Sequence, residues 1–169
     1  QVKDSGNAAV LTVDTSSDRV DIGKTLSSAV GQLYVSGQLA AAAVGDLSGA
    51  GSLKDIRTVG TYAYAVDSTD NELRIYNVSN PASPTQVGSL STGASSGPSA
   101  LDVAGLYAYV ALATTGQVDV VDISNPASPV SVTTVSGFSD PESIVASGRY
   151  VYIANAAANT IGVVDVGNP

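Results

Sequence analysis

The sequence predicts an all-β protein made of repeated four-stranded antiparallel sheets, and three observations support that prediction. Sequence landmarks recur at a nearly constant spacing, because Tyr62, Tyr107 and Tyr150 lie 45 and 43 residues apart. Short apolar runs rich in Val, Ile and Tyr alternate with Asn, Pro, Gly and Ser, which is typical of strands separated by turns. The composition is 44% hydrophobic and only 13% charged, with 17 Gly, which favours a packed, turn-rich protein.

The first domain, residues 1–53, is predicted to be a short β segment that precedes the repeats. Ala8 to Asp14 and Arg19 to Gly23 alternate in hydrophobicity across a polar turn, which indicates a β-hairpin. Residues 25–44 fit either a strand or a helix. We favour a strand, because Gly31 and Gly37 would each cost about 1 kcal/mol inside a helix. The Gly-rich residues 45–52 are the best candidate for a linker.

Part of this first domain is similar to a known class of repeat. The runs Leu11 to Asp14, Arg19 to Gly23 and Gln32 to Gly37 resemble the short repeats of trimeric tail fibres and bacterial surface fibres, although Asp21 replaces the usual Gly. The resemblance implies a β-prism-like segment in which three chains share one core.

The second domain, residues 54–169, divides into two complete units, 54–98 and 99–141, and a partial unit, 142–169. The middle unit has four apolar runs, which begin at Ala100, Tyr107, Gln117 and Val130. Four short antiparallel strands in about 40 to 50 residues are typical of a propeller blade. The partial unit lacks a run that corresponds to the fourth strand.

Paired tyrosines mark the second strand of each unit. Members of a pair are two residues apart, so both rings face one side of the sheet, opposite small residues. We interpret them as blade-packing residues, with stacking on a sugar as the alternative. The six are Tyr62, Tyr64, Tyr107, Tyr109, Tyr150 and Tyr152.

Repeated Asn, Asp and Pro residues follow the third strand of each unit. An Asx side chain can accept hydrogen bonds from the backbone two residues on, and Pro prevents the strand from continuing. These residues are therefore predicted to form turns: Asn77, Asn80, Pro81, Asp122, Asn125, Pro126, Asp165, Asn168 and Pro169.

The run from Gln117 to Pro129, Q-V-D-V-V-D-I-S-N-P-A-S-P, carries a second resemblance. It resembles the LVIVD-type β-propeller repeats of extracellular and surface proteins, over residues 54–169. The resemblance implies a binding or structural role and supplies no catalytic residues. Because closed propellers have about four to eight blades, three arrangements remain open. The chain is a window of a longer protein, several chains close one ring (three copies with two complete blades each would give six), or the sheets stack openly along a fibre.

Few residues suggest chemistry. The chain has no His and no Cys, so the common zinc, copper and haem ligand sets cannot form. Asp67, Asp70 and Glu72 could bind calcium, although they lack the spacing of an EF-hand and a hairpin tip is the preferred interpretation. Asp140 and Glu142 flank Pro141 and resemble the paired carboxylates of glycoside hydrolysis, but two carboxylates near a turn are usually solvated. We therefore predict no catalytic residues, no cofactor and no enzymatic activity.

The residues 93–97 spell G-A-S-S-G, which matches the pattern of a nucleophile elbow. That motif requires a strand-to-helix turn and a His base, and the chain has no His. We interpret these residues as a loop between units.

Charge and hydropathy narrow the choice of partners. The net charge is −8 and the seven Lys and Arg are scattered, so the basic surface needed to bind nucleic acid is not expected. No apolar run approaches the 18 residues of a membrane-spanning helix. The chain begins with Gln1 rather than Met, which suggests processing or truncation.

From these features we predict a non-enzymatic structural or attachment protein, a subunit of an extracellular, cell-surface or virion fibre. It would self-associate as a homotrimer or filament, with a cell-surface glycan or protein as a further partner. The alternative is a carbohydrate-binding lectin whose propeller is closed by oligomerisation.

Overall fold

The computed structural model describes residues 2–3, 9–14, 19–22 and 43–167. These residues contain β-strands and no helix. The strands are β1 (Val2–Lys3), β2 (Ala9–Asp14), β3 (Arg19–Ile22), β4 (Leu53–Val59), β5 (Tyr62–Asp67), β6 (Glu72–Asn77), β7 (Thr85–Ser91), β8 (Pro98–Ala104), β9 (Tyr107–Leu112), β10 (Gln117–Asp122), β11 (Val130–Ser136), β12 (Pro141–Ser147), β13 (Tyr150–Asn155) and β14 (Thr160–Asp165). Within this part of the chain, nothing is helical and apolar over the length that a bilayer crossing requires.

The chain forms two compact units, Gln1–Ala41 and Ala42–Pro169. In the first unit β1, β2 and β3 form an antiparallel sheet, and β2 pairs with β3 with Leu11 opposite Ile22. The hairpin expected from the sequence is therefore present. Most of the segment 25–44, for which strand and helix were weighed, lies outside the described residues, as do Asn168 and Pro169. Residues 45–52 lie in the second unit.

The second unit contains three antiparallel sheets in chain order. The first blade is β4–β7, the second blade is β8–β11, and the third blade is the three-stranded sheet β12–β14. In each blade, neighbouring strands in sequence are neighbours in the sheet, because short turns join them. The prediction of two complete propeller-type blades and one partial blade is confirmed.

Each blade has a forward face, which points towards the next blade in the chain, and a backward face. The paired tyrosines and the alternate apolar residues of the third strand lie on the forward face. Between the first two blades, the buried cluster contains Tyr64, Val66, Leu73 and Ile75 from one side and Leu101, Ala108, Val110, Leu112, Val121 and Ile123 from the other. Between the second and third blades, it contains Ala100, Tyr109, Ala111, Val118, Val120, Ile144, Val151 and Ile153.

Large side chains on one face lie against smaller ones on the other. Tyr64 is almost fully buried in a cluster with Ala108 and Val110, and Tyr109 is buried in a cluster with Val151. Each fully buried side chain of this size contributes about 1.5 to 3 kcal/mol relative to an exposed one. The interfaces between blades therefore hold most of the core.

Carboxylates on β4 and β8 add directional contacts between blades. The Asp55 Oδ2 accepts a hydrogen bond from the Leu101 N–H at 3.1 Å, and the Asp102 Oδ2 accepts one from the Ala146 N–H at 2.8 Å. Arg57 Nε lies 3.4 Å from Asp102 Oδ1. Because apolar packing has no fixed direction, these bonds help to set the register of each blade on the next.

The forward face of the third blade is open. Tyr150 and Tyr152 are 39% and 41% exposed, and Ile161 and Val163 are 74% and 56% exposed. The tyrosine pair was predicted to pack between blades, but no further blade lies on it among the described residues. We call the surface formed by Val145, Tyr150, Tyr152, Ile161 and Val163 the open face.

Candidate functional site

A polar cavity of about 470 Å³ lies where β4, β8 and β12 begin. Its lining includes Lys54, Ser99 and Glu142, one from each blade. Each of these residues is the second residue of its strand and precedes the first tyrosine of its blade by eight residues. The repeat therefore places the same position of three successive units around one cavity, which we call the inner groove.

Hydrogen bonds hold the middle of the inner groove. Ser99 Oγ donates to the backbone carbonyl of Pro141 in the third blade and also lies 3.3 Å from the carbonyl oxygen of Ala111. Ser68, on the turn after β5, and Ala113 complete the wall. These contacts tie the second blade to the third at the floor of the groove.

The inner groove combines a cation, a carboxylate and hydroxyl groups. Lys54 donates hydrogen bonds, the Glu142 carboxylate accepts them, and Ser68 can do both. A small, polar ligand with several hydroxyl groups matches this set better than an apolar one. Glu142 is predicted from the sequence only as the partner of Asp140, and Asp140 does not line the cavity. Lys54 and Ser99 were not predicted, although each precedes the first tyrosine of its blade by eight residues, as Glu142 does.

The acidic residues Asp67, Asp70 and Glu72 surround an arginine. Arg74 Nε lies 3.2 Å from Asp67 Oδ2 and 3.5 Å from Glu72 Oε2, and another guanidinium nitrogen contacts the Asp70 carboxylate. The guanidinium thus pairs with the carboxylates that were considered for calcium and offsets part of their charge. In the part of the chain that the structure describes, no group of three or more carboxylates is placed to hold a metal ion.

Asp67 is fully buried and has a lowered pKa. Burial by itself would raise the pKa of this carboxyl, but hydrogen bonds from four backbone N–H groups outweigh that effect. Two of the four come from Gly51 at 2.7 Å and Ser52 at 3.0 Å. Asp67 therefore holds residues 51–52 against the tip of the β5–β6 hairpin, which is a structural task.

Asp119 of the second blade shows the opposite shift. Burial raises the pKa of its carboxyl, and hydrogen bonds from the Ser131 and Thr134 hydroxyls only partly offset this. No cation is paired with it among the described residues. The pKa values of two buried aspartates in equivalent sheets are thus shifted in opposite directions, down for Asp67 and up for Asp119.

The repeated Asx residues accept backbone hydrogen bonds in the turns. In each bond the Oδ1 atom of the Asx residue accepts from the backbone N–H two residues later. The bonds are Asn77 from Ser79 at 2.9 Å, Asn80 from Ala82 at 3.2 Å, Asp122 from Ser124 at 2.8 Å, Asn125 from Ala127 at 3.2 Å, and Asp165 from Gly167 at 3.0 Å. Pro81 and Pro126 lie in the same turns. In the first two blades these bonds stabilise the connection from the third strand to the fourth.

Three segments of the chain, residues 50–92, 99–136 and 140–169, match the model of the LVIVD repeat. The chain belongs to the LVIVD repeat family. The three matched segments of this LVIVD repeat protein correspond to its three blades, and together they cover more than half of the chain. The resemblance stated from the Gln117 to Pro129 run is confirmed. A search of curated proteins gave no match.

Solved β-propeller structures share the fold. A protein of Bacteroides uniformis assigned as a 6-phosphogluconolactonase gives a TM-score of 0.60 at 19% identity over 72% of this chain and 42% of that chain. A protein of Bacteroides fragilis with the same assignment gives 0.58 at 13% identity over 63% and 32%. The Pseudomonas aeruginosa periplasmic gluconolactonase gives 0.52 at 20% identity over 68% and 40%. The LVIVD repeat chain spans less than half the length of each.

These neighbours correct one prediction. The prediction of no enzymatic activity, which rests on the lack of a visible catalytic set, is wrong, since the same propeller fold occurs in proteins named as lactonases. At 13% to 20% identity the likeness shows the fold and transfers no activity.

Proposed function

We propose that this LVIVD repeat protein is a structural or attachment subunit of an extracellular, cell-surface or virion fibre, whose blades associate between copies. The observation that carries the proposal is the open face. Leu73 and Val118, which are equivalent to Ile161, are fully buried between blades, whereas Ile161 is largely exposed. Contiguous apolar surface of this kind marks an interaction site.

The composition of the open face favours another blade as its partner. It has two tyrosines beside two branched aliphatic residues, the same arrangement that packs against a neighbouring sheet twice within the chain. Covering it would remove Tyr152, Ile161 and Val163 from water, worth about 25 cal/mol for each Å² of apolar surface. A homotrimer, a filament or another assembly that joins copies through this face would achieve this. The resemblance of the runs within residues 11–37 to fibre repeats, which the comparisons do not show, agrees with such an assembly.

The test is the mass of the chain in solution, measured together with images of the particles. We expect the wild type to assemble and Ile161→Asp to remain monomeric, because the variant places a charge in the apolar contact. Leu106→Asp is the matched control, since Leu106 is exposed on a turn outside the open face and its variant should assemble normally. A monomeric wild type would refute the proposal.

The inner groove favours a second candidate, a lectin whose propeller is closed by oligomerisation, or a protein that acts on a sugar-derived ligand. The groove presents Lys54, Ser99 and Glu142 together, and the solved neighbours include proteins named for sugar lactones. A glycan array and a gluconolactone hydrolysis assay test this candidate. Lys54→Ala and Glu142→Gln should abolish binding or turnover without changing assembly, and a chain inactive in both assays would remove it.

A further inference from the structure

Residues 44–48 repeat the sequence of the fourth strand of the first blade. They read V-G-D-L-S, and residues 87–91 of β7 read V-G-S-L-S, 43 residues later. That spacing is one repeat period. The sequence of this segment, which we call the leading segment (residues 43–49), is therefore that of a fourth strand.

The leading segment also lies on the first blade as β7 lies on the second. A Cβ atom at Gly88 would collide with the carbonyl oxygen of Pro126 and reach Ala127 Cα at 3.2 Å. A Cβ atom at Gly45 would collide with the carbonyl oxygen of Pro81 and reach Ala82 Cα at 3.0 Å. Pro81 and Pro126 are equivalent turn residues. Two glycines one period apart thus approach the same backbone atoms of successive blades.

The leading segment has no sheet of its own. β7 pairs with β6 along its length, whereas residues 43–49 pair with no strand among the described residues. The third blade, in contrast, lacks a fourth strand among the described residues. Its edge strand β14, which is equivalent to β6 and β10, pairs only with β13 in the described part of the chain.

We propose, building on the self-association proposed above, that the leading segment of one copy pairs with β14 of a second copy and completes its third blade. The open face of the second copy then lies on the backward face of the first blade. The β6–β7 register, with Leu73 opposite Leu90 and Ile75 opposite Gly88, places Leu47 opposite Ile161 and Gly45 opposite Val163.

The backward face of the first blade is suited to receive another sheet. Next to the leading segment is an apolar cavity of about 250 Å³, whose lining includes Leu47, Ile56, Ala63 and Tyr76. Small Ala63 corresponds to Ala108, on which the tyrosines of the first blade pack. The Tyr76 hydroxyl is buried there without a hydrogen-bond partner in the described part of the chain, and such a group usually finds one.

The strand count agrees with a closed ring. The leading segment, two complete blades and the three strands of the third blade together supply the strands of three blades. Two copies joined head to tail would give six, within the range of about four to eight seen in closed propellers. A two-fold axis would relate the two copies, so each would give its leading segment to the other and receive one in return.

Disulfide cross-linking tests the register directly, since the native chain has no cysteine. Leu47→Cys and Ile161→Cys are prepared separately, mixed and oxidised. Opposed residues on paired strands have Cβ atoms about 4.5 to 5.5 Å apart, close enough for a disulfide after a small shift. We expect a covalent dimer that contains one chain of each variant. Asp46→Cys mixed with Ile161→Cys is the matched control, because neighbouring residues point to opposite faces of a strand.

The outcomes separate this inference from the proposal on which it rests. Selective cross-linking of Leu47→Cys to Ile161→Cys, with a particle of twice the 16.8 kDa chain mass, supports the strand exchange. Assembly without that selectivity, or a disulfide formed by Ile161→Cys alone, overturns it and leaves fibre self-association standing. A chain that never associates removes both.

Discussion

The second and third blades present the same residue pattern to different surroundings. Tyr109, Val118 and Val120 on the forward face of the second blade are buried, whereas Tyr152, Ile161 and Val163 at the same positions of the third blade face solvent. The second and third strands of the two sheets pair in the same register. Local sequence therefore forms each blade, and a neighbour determines whether its forward face becomes core.

The largest expected difference in stability between the second and third blades is at the tyrosines Tyr109 and Tyr152. Tyr109→Ala should lower the free energy of unfolding by about 3 to 5 kcal/mol, because it leaves a cavity between blades. Tyr152→Ala in the monomeric Ile161→Asp background should change it by less than about 0.5 kcal/mol, as for ordinary surface substitutions. Urea unfolding followed by circular dichroism measures both, and equal losses would contradict the assignment of the open face.

A smaller effect is expected where the first and third blades differ at one position. Asp67 corresponds to Asn155, which is also buried but neutral. Asp67→Asn should cost about 1.5 to 3 kcal/mol at pH 7, because charged hydrogen-bond acceptors are the stronger ones.

The pH dependence of Asp67 follows from its lowered pKa. Its stabilising contribution is complete above the unfolded value of about 3.9 and is lost as the pH falls through the folded pKa. The penalty of Asp67→Asn should therefore shrink in acid. A penalty that stays constant from pH 7 to pH 2.5 would argue against the lowered pKa.

Substitution of the turn glycine should lower the stability equally in the second blade, at Gly105, and in the third blade, at Gly148. Gly105 and Gly148 have φ of 61° and 60°, and a Cβ at either would meet no atom within 4 Å. Ala at either position should therefore cost about 1 to 2 kcal/mol from backbone strain alone. Thermal unfolding of the two variants should give the same loss, and a much larger loss at Gly105 would indicate that burial contributes at this turn.

The smallest effect concerns Asp119, whose equivalent in the third blade is Gly162. The raised pKa of Asp119 means that its contribution is most favourable below about pH 3.9 and declines as the pH rises through the folded pKa. Asp119→Asn should therefore gain stability relative to the wild type as the pH rises from 4 to 8. Unfolding curves across this range test the sign, and a relative loss would refute it.

The sequence was sufficient to predict the blades because spacing and alternation are local properties. The tyrosine pairs, the Asx turns and the 45- and 43-residue periods identified the strands closely. Burial was less predictable, since Tyr150 and Tyr152 carry no signal of whether another sheet covers them. Asp67, Asp70 and Glu72 were weighed as calcium ligands without Arg74, which lies two residues further on and is brought among them by the sheet.

The inner groove could not be predicted by pattern because its residues differ in type. Lys54, Ser99 and Glu142 occupy the same position of the repeat but have different types of side chain. Only the fold therefore shows that they line one cavity. Residues 45–52 are predicted to be a linker because three glycines favour a flexible connection, although residues 44–48 also resemble part of β7. Enzymatic activity was excluded because no catalytic set was found, although a fold can host many functions.

The hydrogen bonds from Asp55 to Leu101 and from Asp102 to Ala146 join consecutive blades near their first strands. If the chain were pulled from its two ends, the load would pass from blade to blade through these bonds and the buried clusters beside them. Blades that detached and unfolded one at a time would each release about 150 Å of extended polypeptide. A fibre built from such units would lengthen stepwise under tension and dissipate force before it parted.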